Sequence, residues 1–347
     1  MTELIVTNFN RNFTGVSATA AGVTKALTDR YDLRLAGHAL PGCPAPISRR
    51  EALRLSRGPG LTLWHVRRNT EMRTALFARD VLRLPVRILF TSAAQRRHSA
   101  LPRWLISRMD AVVATTEAAA DYVPHVRAVV PHGVDCARFS PAANRAMAWA
   151  ATGYPGARGV ATIGRIRPEK GTDRFVETML RVLPEQPDLT ALVIGRAGGK
   201  HEAFLDGLKS KVQAAGLSER LLFPGEVSAD ALPGLMRALS LVIQLPRYEG
   251  YGMAPLEGMA SGVPFVATDA GYYRSFAGQG SAGLITDDAP AEAAQAISAL
   301  LNDPARHAAM SEAARIAAET HFWIESEADG IARVLDQMRD AFNRAHP

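Results

Sequence analysis

Tyr248-Glu-Gly-Tyr-Gly-Met-Ala-Pro-Leu-Glu-Gly-Met-Ala-Ser-Gly262 is the stretch whose reading decides the fold. It follows Leu239-Ser-Leu-Val-Ile-Gln-Leu245, an apolar run that reads as a buried parallel strand. Gly250 and Gly252 then form a loop whose backbone N–H groups can face outward. Pro255 stands where a first helical turn begins, which suits its fixed φ and missing donor. Helix is expected to continue over Leu256 to Ala260 and to end at Gly262-Val-Pro264. Strand, glycine loop and helix N-terminus in that order make a phosphate-binding layout. Unpaired N–H groups and the positive end of the helix dipole converge there.

Two carboxylates bracket the loop, Glu249 before the glycines and Glu257 inside the first helical turns. Glu257 reads either as a dipole-stabilising charge or as an acceptor for the vicinal hydroxyls of a ribose. Glu249 sits where a sugar hydroxyl, rather than a proton-transfer centre, is expected.

The chain has 347 residues, too long for one ordinary domain and suited to two. The expected division is 1–150 and 151–324, with a C-terminal helix over 325–347 packing back onto the first domain. No run approaches the ~18 apolar residues of a membrane helix. The N-terminus reads as the start of a strand and carries no signal peptide, so a cytoplasmic location is expected. Cys43 and Cys136 have no metal spacing and read as free thiols. Charge is uneven. Residues 1–150 hold 21 Lys and Arg against 10 Asp and Glu, a net +11; residues 151–347 hold 19 against 24, a net −5. Of the 21 basic residues 20 are Arg, a side chain suited to bidentate contacts with phosphate and carboxylate.

Short apolar runs alternate with helical patterns from end to end. Strands are expected at 4–6, 31–40, 61–65, 86–91, 111–115 and 128–130, and again at 159–164, 189–195, 221–227, 239–245, 263–268 and 283–285. That alternation means α/β doubly wound parallel sheets, with ligands outside the C-terminal strand ends. Arg67, Arg68, Arg96, Arg97 and Arg103 fall at such ends in the first half and could converge on an anionic acceptor. In the second half Arg165 and Lys170, framed by Gly164 and Gly171, could clamp two phosphates without a metal. Arg196-Ala-Gly-Gly-Lys200 is phosphate-like but lacks the P-loop order and reads as a loop.

Glu249 and Glu257 with Gly250, Gly252, Pro255, Ala260, Ser261, Gly262 and Pro264 resemble the nucleotide-sugar motif of the retaining GT-B glycosyltransferases of family four. The resemblance implies two Rossmann-like domains facing a central cleft, donor on the second and acceptor on the first. It implies donor contacts at Gly15, Gly225, Glu226, Val227, Gly250, Tyr251, Gly252, Met253, Leu256 and Glu257. It also implies catalytic parts for Arg165, Lys170, Glu249 and His98, without a metal or other cofactor. Pro131-His-Gly-Val-Asp135 is similar to a signature turn of that family and reads as structural.

The segments Trp64 to Met72 and Phe90 to His98 resemble a narrower group, the lipopolysaccharide core mannosyltransferases of alphaproteobacteria. That implies GDP-mannose as donor and a Kdo-lipid A acceptor at the inner-membrane surface, met by Arg67, Arg68, Arg96 and Arg97. Two other functions stay open at this point. One is a nucleotide-sugar epimerase or hydrolase on the same fold. The other is nucleic-acid binding through the basic first half, for which no module is present.

Overall fold

The computed structural model describes residues 2–12 and 14–346. The chain divides into two compact units, one running to Gly133 and resuming at Phe322, the other Val134–His321.

In the first unit β1 (Leu4–Asn8), β2 (Leu33–Gly37), β3 (Thr62–Val66), β4 (Val86–Ser92), β5 (Ala111–Ala114) and β6 (Val126–Val129) form one sheet. Its order is β2-β1-β3-β4-β5-β6, parallel throughout. The winding reverses between β1 and β3, so the ends of those strands are where a doubly wound sheet gathers ligands. The residues of β1, β3 and β5 are all buried, as in a parallel sheet covered on both faces, with apolar side chains in the majority and Thr7, Asn8, Thr62 and His65 among them. One face packs Leu4, Val6, Leu63, Leu89 and Val113 against Val23 and Leu27 of helix Gly15–Leu27.

The same face receives the end of the chain. Helix Ile324–Ala345 places Ile324, Ala328, Ile331 and Leu335 on its buried side, at the spacing of an amphipathic helix. Gly330 lets it approach closely, since a Cβ there would lie 2.7 Å from Val130. Arg30 pairs with Glu325 and Asp329, and the Tyr31 hydroxyl donates to Asp336 at 2.9 Å.

In the second unit β7 (Arg158–Ile163), β8 (Leu189–Ile194), β9 (Leu221–Gly225), β10 (Leu241–Gln244), β11 (Phe265–Thr268) and β12 (Gly283–Thr286) form a parallel sheet. Its order is β12-β11-β10-β7-β8-β9, with the reversal between β7 and β10. Helix Thr172–Val182 buries Phe175, Val176, Met179 and Val182 against it.

The expected boundary at 150 lies inside the second unit. Residues 134–150 pack there because Trp149 fills the space over Gly159, where a Cβ would lie 1.9 Å from the indole. Trp149 Nε1 also donates to Gly156 O at 3.1 Å, and Arg145 Nη2 to Gly262 O at 2.6 Å. The strand expected over 31–40 is shorter, Leu33–Gly37, because Gly37 takes φ +116° and turns the chain.

Candidate active site

The reversal point of the second sheet brings three loops together. After β7 the chain passes Gly164 and Arg165, makes a tight turn over Pro168–Lys170, and enters helix Thr172–Val182 through Gly171. Gly171 has φ +66°, and a Cβ on it would stand 1.7 Å from Leu245 O, at the end of β10. Glycine is therefore required for this turn to lie on the neighbouring strand end. Arg247 fastens the arrangement from the other side. Its backbone N–H donates to Glu169 O at 3.0 Å and its guanidinium takes both oxygens of Asp173, at 2.6 and 2.8 Å.

After β10 comes the glycine loop. Helix Met253–Ala260 starts from Gly252, whose φ is +100°. A Cβ there would lie 2.1 Å from the Tyr273 ring, so the loop turns where only glycine fits. The N–H groups of Gly252, Met253 and Ala254 have no partner inside the helix, and Pro255 has no donor to leave unmet. The second turn of the helix carries Glu257, not the first, so its carboxylate lies beyond the reach of the strongest dipole field.

Lys170 Nζ donates to Glu249 Oε2, joining the loop after β7 to the loop after β10. Glu249 Oε1 accepts from the Gly250 N–H at 3.0 Å. Tyr273 is buried, and its hydroxyl is held protonated first by burial and then by Glu249, its hydrogen-bond partner. Arg165 is exposed and makes no hydrogen bond or ion pair among the described residues. Burial and then Arg167 lower its basicity, while Glu249 acts in the opposite direction. An ammonium, a guanidinium and the Gly250 N–H thus stand beside one carboxylate, on the loop that leads into the helix start.

Glu257 is 8% exposed and makes no side-chain hydrogen bond among the described residues. Burial pushes its carboxyl up to about 7, with Arg138 pulling against it. Arg138 is itself tied to Ala229 O, which follows the β9 loop.

Other expected donor residues are placed unevenly. Glu226 is exposed beyond the end of β9, 3.9 Å from Arg196, and Gly225 has φ +87°. The Tyr251 ring is buried, stacked on Tyr272 at 5.3 Å, and the Leu256 side chain is fully buried. Any ligand contact from these two positions is confined to the backbone. The Arg196–Gly199 loop, phosphate-like in sequence but without the P-loop order, walls a cavity of about 490 Å³ with Ile166, Lys209 and Gly225. Its glycine density was the available signal. The sequence places Gly271-Tyr272-Tyr273 in a loop shaping the donor pocket; the meeting of Tyr273 with Glu249 itself depends on how helix Tyr273–Ala277 packs.

In the first unit Arg67 and Arg68 follow β3 and differ sharply. The Arg68 guanidinium is committed within the fold, to Glu71 at 3.1 Å, Asn8 at 3.1 Å, Thr14 at 3.3 Å and Ser17 at 2.9 Å. It ties the loop after β1 to the end of β3, so an acceptor would have to displace four partners to reach it. Arg67 is buried, with no hydrogen bond to its guanidinium among the described residues. Arg96 and Arg97 are exposed, and His98 is half-buried, its basicity lowered by burial and then by Arg96. Gly15 opens the helix after β1, and a Cβ there would meet nothing within 4 Å. His65 Nε2 lies 2.7 Å from Thr91 Oγ1. His132 Nδ1 lies 2.7 Å from Glu327, so the signature turn Pro131–Asp135 is held by the returning C-terminal helix. Among the described residues there is no group of three His, Cys, Asp or Glu able to hold a metal, and no helix long and apolar enough to cross a membrane.

The family model of group 1 glycosyl transferases matches residues 154–317. Over 342 residues the chain is 40% identical to the lipopolysaccharide core biosynthesis mannosyltransferase LpcC of Rhizobium leguminosarum bv. viciae, covering 97% of this chain and 96% of that protein. It is also 40% identical to LpsB of Rhizobium meliloti, of the same description, covering 97% of each. Among solved structures, the C-terminal domain of an LpcC from Francisella tularensis is 32% identical, covering 55% of this chain and 100% of that one, with TM-score 0.54. Anabaena HepE in complex with UDP and glucose matches at TM-score 0.82 over 97% of this chain and 100% of its own, at 17% identity, a likeness of fold alone.

Proposed function

Because the chain belongs to the group 1 glycosyl transferases and has the GT-B fold, we propose that it moves mannose from GDP-mannose onto an anionic lipopolysaccharide-core acceptor, Kdo-lipid A. The observation that carries this reading is the meeting of Lys170, Arg165, Glu249 and the Gly250–Met253 amides at the strand reversal of the second unit. The relatives named as core mannosyltransferases support the choice of sugar and acceptor.

In this reading the donor diphosphate takes the place beside Lys170 and Arg165, with the N–H groups of Gly252 and Met253 on its oxygens. Glu249, released from Lys170, accepts from a hydroxyl of the mannose. Glu257 accepts from the ribose hydroxyls, and Gly225, Glu226 and Val227 border the base. Transfer forms a bond from the acceptor oxygen to the sugar's anomeric carbon while the bond to the diphosphate breaks. The centre between them is oxocarbenium-like. Attack comes from the face the diphosphate leaves, so configuration is retained, and a donor phosphate oxygen takes the acceptor's proton. The two cations and the amides hold the leaving charge, so neither a metal nor another cofactor is required. Arg67, Arg96 and Arg97, with His98 nearby, serve the acceptor.

The acceptor is a lipid, and the first unit offers a surface for it. Helix Ala100–Ser107 exposes Leu101 and Trp104, at 55% and 57%, beside the exposed Arg97 and Arg103. Exposed apolar side chains on a helix that also exposes a cation suit the interface of an anionic membrane, here the inner membrane. Offering Kdo-lipid A with a panel of nucleotide sugars, and reading the acceptor's mass shift, tests the whole reading. A hexose added from GDP-mannose alone is expected. Consumption of GDP-mannose without acceptor would instead favour an epimerase or hydrolase.

A further inference from the structure

The strand ends of the first unit carry buried polar groups that find no hydrogen-bond partner among the described residues. Arg67 is 8% exposed, and its Nε, Nη1 and Nη2 all lack a hydrogen-bond partner. His65 and Thr115 are 0% exposed, with His65 Nδ1 and Thr115 Oγ1 in the same condition. The sheet register brings these residues to one side. His65 stands opposite Leu89, and Leu89 opposite Ala111. Side chains alternate along a strand, so His65, Thr91 and Val113 leave the sheet on one face. Thr115 follows Val113 on that face, its N–H still donating to Ser92 O at 2.9 Å. Arg67 lies near enough to oppose protonation of His65.

The carboxylates nearest Arg67 are already occupied. Glu71 Oε2 accepts from the N–H of Arg67 at 2.8 Å and of Arg68 at 3.1 Å. Its Oε1 accepts from Phe9 N–H at 3.2 Å and Arg68 Nη1 at 3.1 Å. Glu327 accepts from His132 Nδ1 at 2.7 Å and from Gly133 N–H at 2.8 Å. Arg67 therefore holds a guanidinium out of water without a bonded anion, and burial lowers it to about 10. Such groups are rare in folded proteins, because an unpaired buried charge is strongly destabilising.

We propose that Arg67, His65 and Thr115 form a binding site for the carboxylate of a sugar acid. Arg67 takes the carboxylate through two parallel N–H bonds, and His65 Nδ1 and Thr115 Oγ1 take neighbouring hydroxyls. One uncommitted cation balances one carboxylate. A phosphate dianion would bring a second, unmatched charge into the buried site. His65 is neutral, because burial and then Arg67 oppose its protonation. Its Nδ1 therefore donates or accepts according to how the Thr91 hydroxyl is turned at Nε2. The two hydroxyl-matching atoms select a sugar acid over a bare acyl carboxylate. As a part of the acceptor site this rests on the transferase reading above; as an anion site it stands alone.

The test is a thermal-shift titration of the full chain, without donor, using D-glucuronate, D-glucose and D-glucose 6-phosphate. D-Glucuronate is expected to raise Tm with saturation, D-glucose to leave it unchanged, and D-glucose 6-phosphate to bind more weakly than glucuronate. Arg67→Met is expected to lose the glucuronate response and to keep or raise the ligand-free Tm. Arg67→Lys, which keeps charge but loses the fork, is expected to bind on the order of tenfold more weakly. An equal response to glucose, tighter binding of the phosphate, or an undiminished glucuronate response in Arg67→Met would overturn the proposal. Should Arg67→Met fold poorly, a wild-type response in Arg67→Lys would overturn it as well. Transfer to Kdo-lipid A by the same variants separates the two readings. A lost glucuronate response with transfer intact keeps the anion site and removes it from the acceptor. No response in the wild type removes the site and leaves the transfer reading standing.

Discussion

Lys170 and Glu249 are paired side chain to side chain although 79 positions apart, and they close the strand reversal of the second unit. The pair is about one-fifth exposed, at 20% and 18%. An ammonium so placed is held ready, since an incoming diphosphate can draw it away while the carboxylate turns to a sugar hydroxyl. Lys170→Ala is expected to lower turnover at saturating donor by at least about tenfold, as loss of a group holding transition-state charge does. Its Tm should stay close to wild type, a partly exposed pair being worth about 1 kcal/mol or less. Steady-state kinetics beside a thermal melt checks both halves.

Glu257 sets a pH dependence. Its carboxyl is raised to about 7 by burial, so ionising it in the fold costs more than in the unfolded chain. Its contribution to stability is complete below the ordinary carboxyl range and is lost as pH rises through about 7. Glu257→Gln should therefore be more stable than wild type at pH 8, by roughly 1–3 kcal/mol, and equal to it at pH 4. Ribose hydroxyls favour the ionised form, so GDP binding at pH 6.5 should release protons. Calorimetry in buffers of different ionisation enthalpy measures that release, which the Gln variant should lack.

Arg68 is expected to act on the fold. Arg68→Met removes the link between the loop after β1 and the end of β3 and leaves Glu71, which is 0% exposed, with backbone partners only. A loss of about 3 kcal/mol is expected, as for one partner of a buried pair. Denaturant unfolding measures it. Hydrogen exchange should rise over the loop that Arg68 ties down.

Two glycines separate a backbone requirement from a ligand requirement. Gly252→Ala meets a positive φ and the Tyr273 ring, and should cost about 2 kcal/mol or more. Gly15→Ala meets open space and should leave stability within about 0.5 kcal/mol. A large loss of transfer with an unchanged melt would place a substrate against Gly15.

Much of this was legible in the sequence because it is local. The glycine loop, its helix and the alternating strands follow from spacing within a dozen residues, and the parallel sheets follow from the alternation. Arg165 and Lys170 were legible as cations at a strand end for the same reason. What was not legible depends on packing over long separations. Arg67 and Arg68 are adjacent and alike in sequence, yet among the described residues the guanidinium of Arg68 is tied to four groups and that of Arg67 to none. The difference arises from which face of β3 each follows and from where the loop after β1 lies. Tyr273 reaches Glu249, and Glu327 reaches His132, only through the placement of later helices. The boundary read at 150 moved to 133 because Trp149 needed the surface of β7 to bury it.

The central claim is that a nucleotide diphosphate lies between Lys170, Arg165 and the amides at the start of helix Met253–Ala260. A crystal structure of the GDP complex tests it most directly. The account predicts phosphate oxygens within hydrogen-bond distance of Lys170 Nζ and of the Gly252 or Met253 N–H, with the Lys170–Glu249 pair opened. A diphosphate bound elsewhere, with Lys170 still on Glu249, would contradict it.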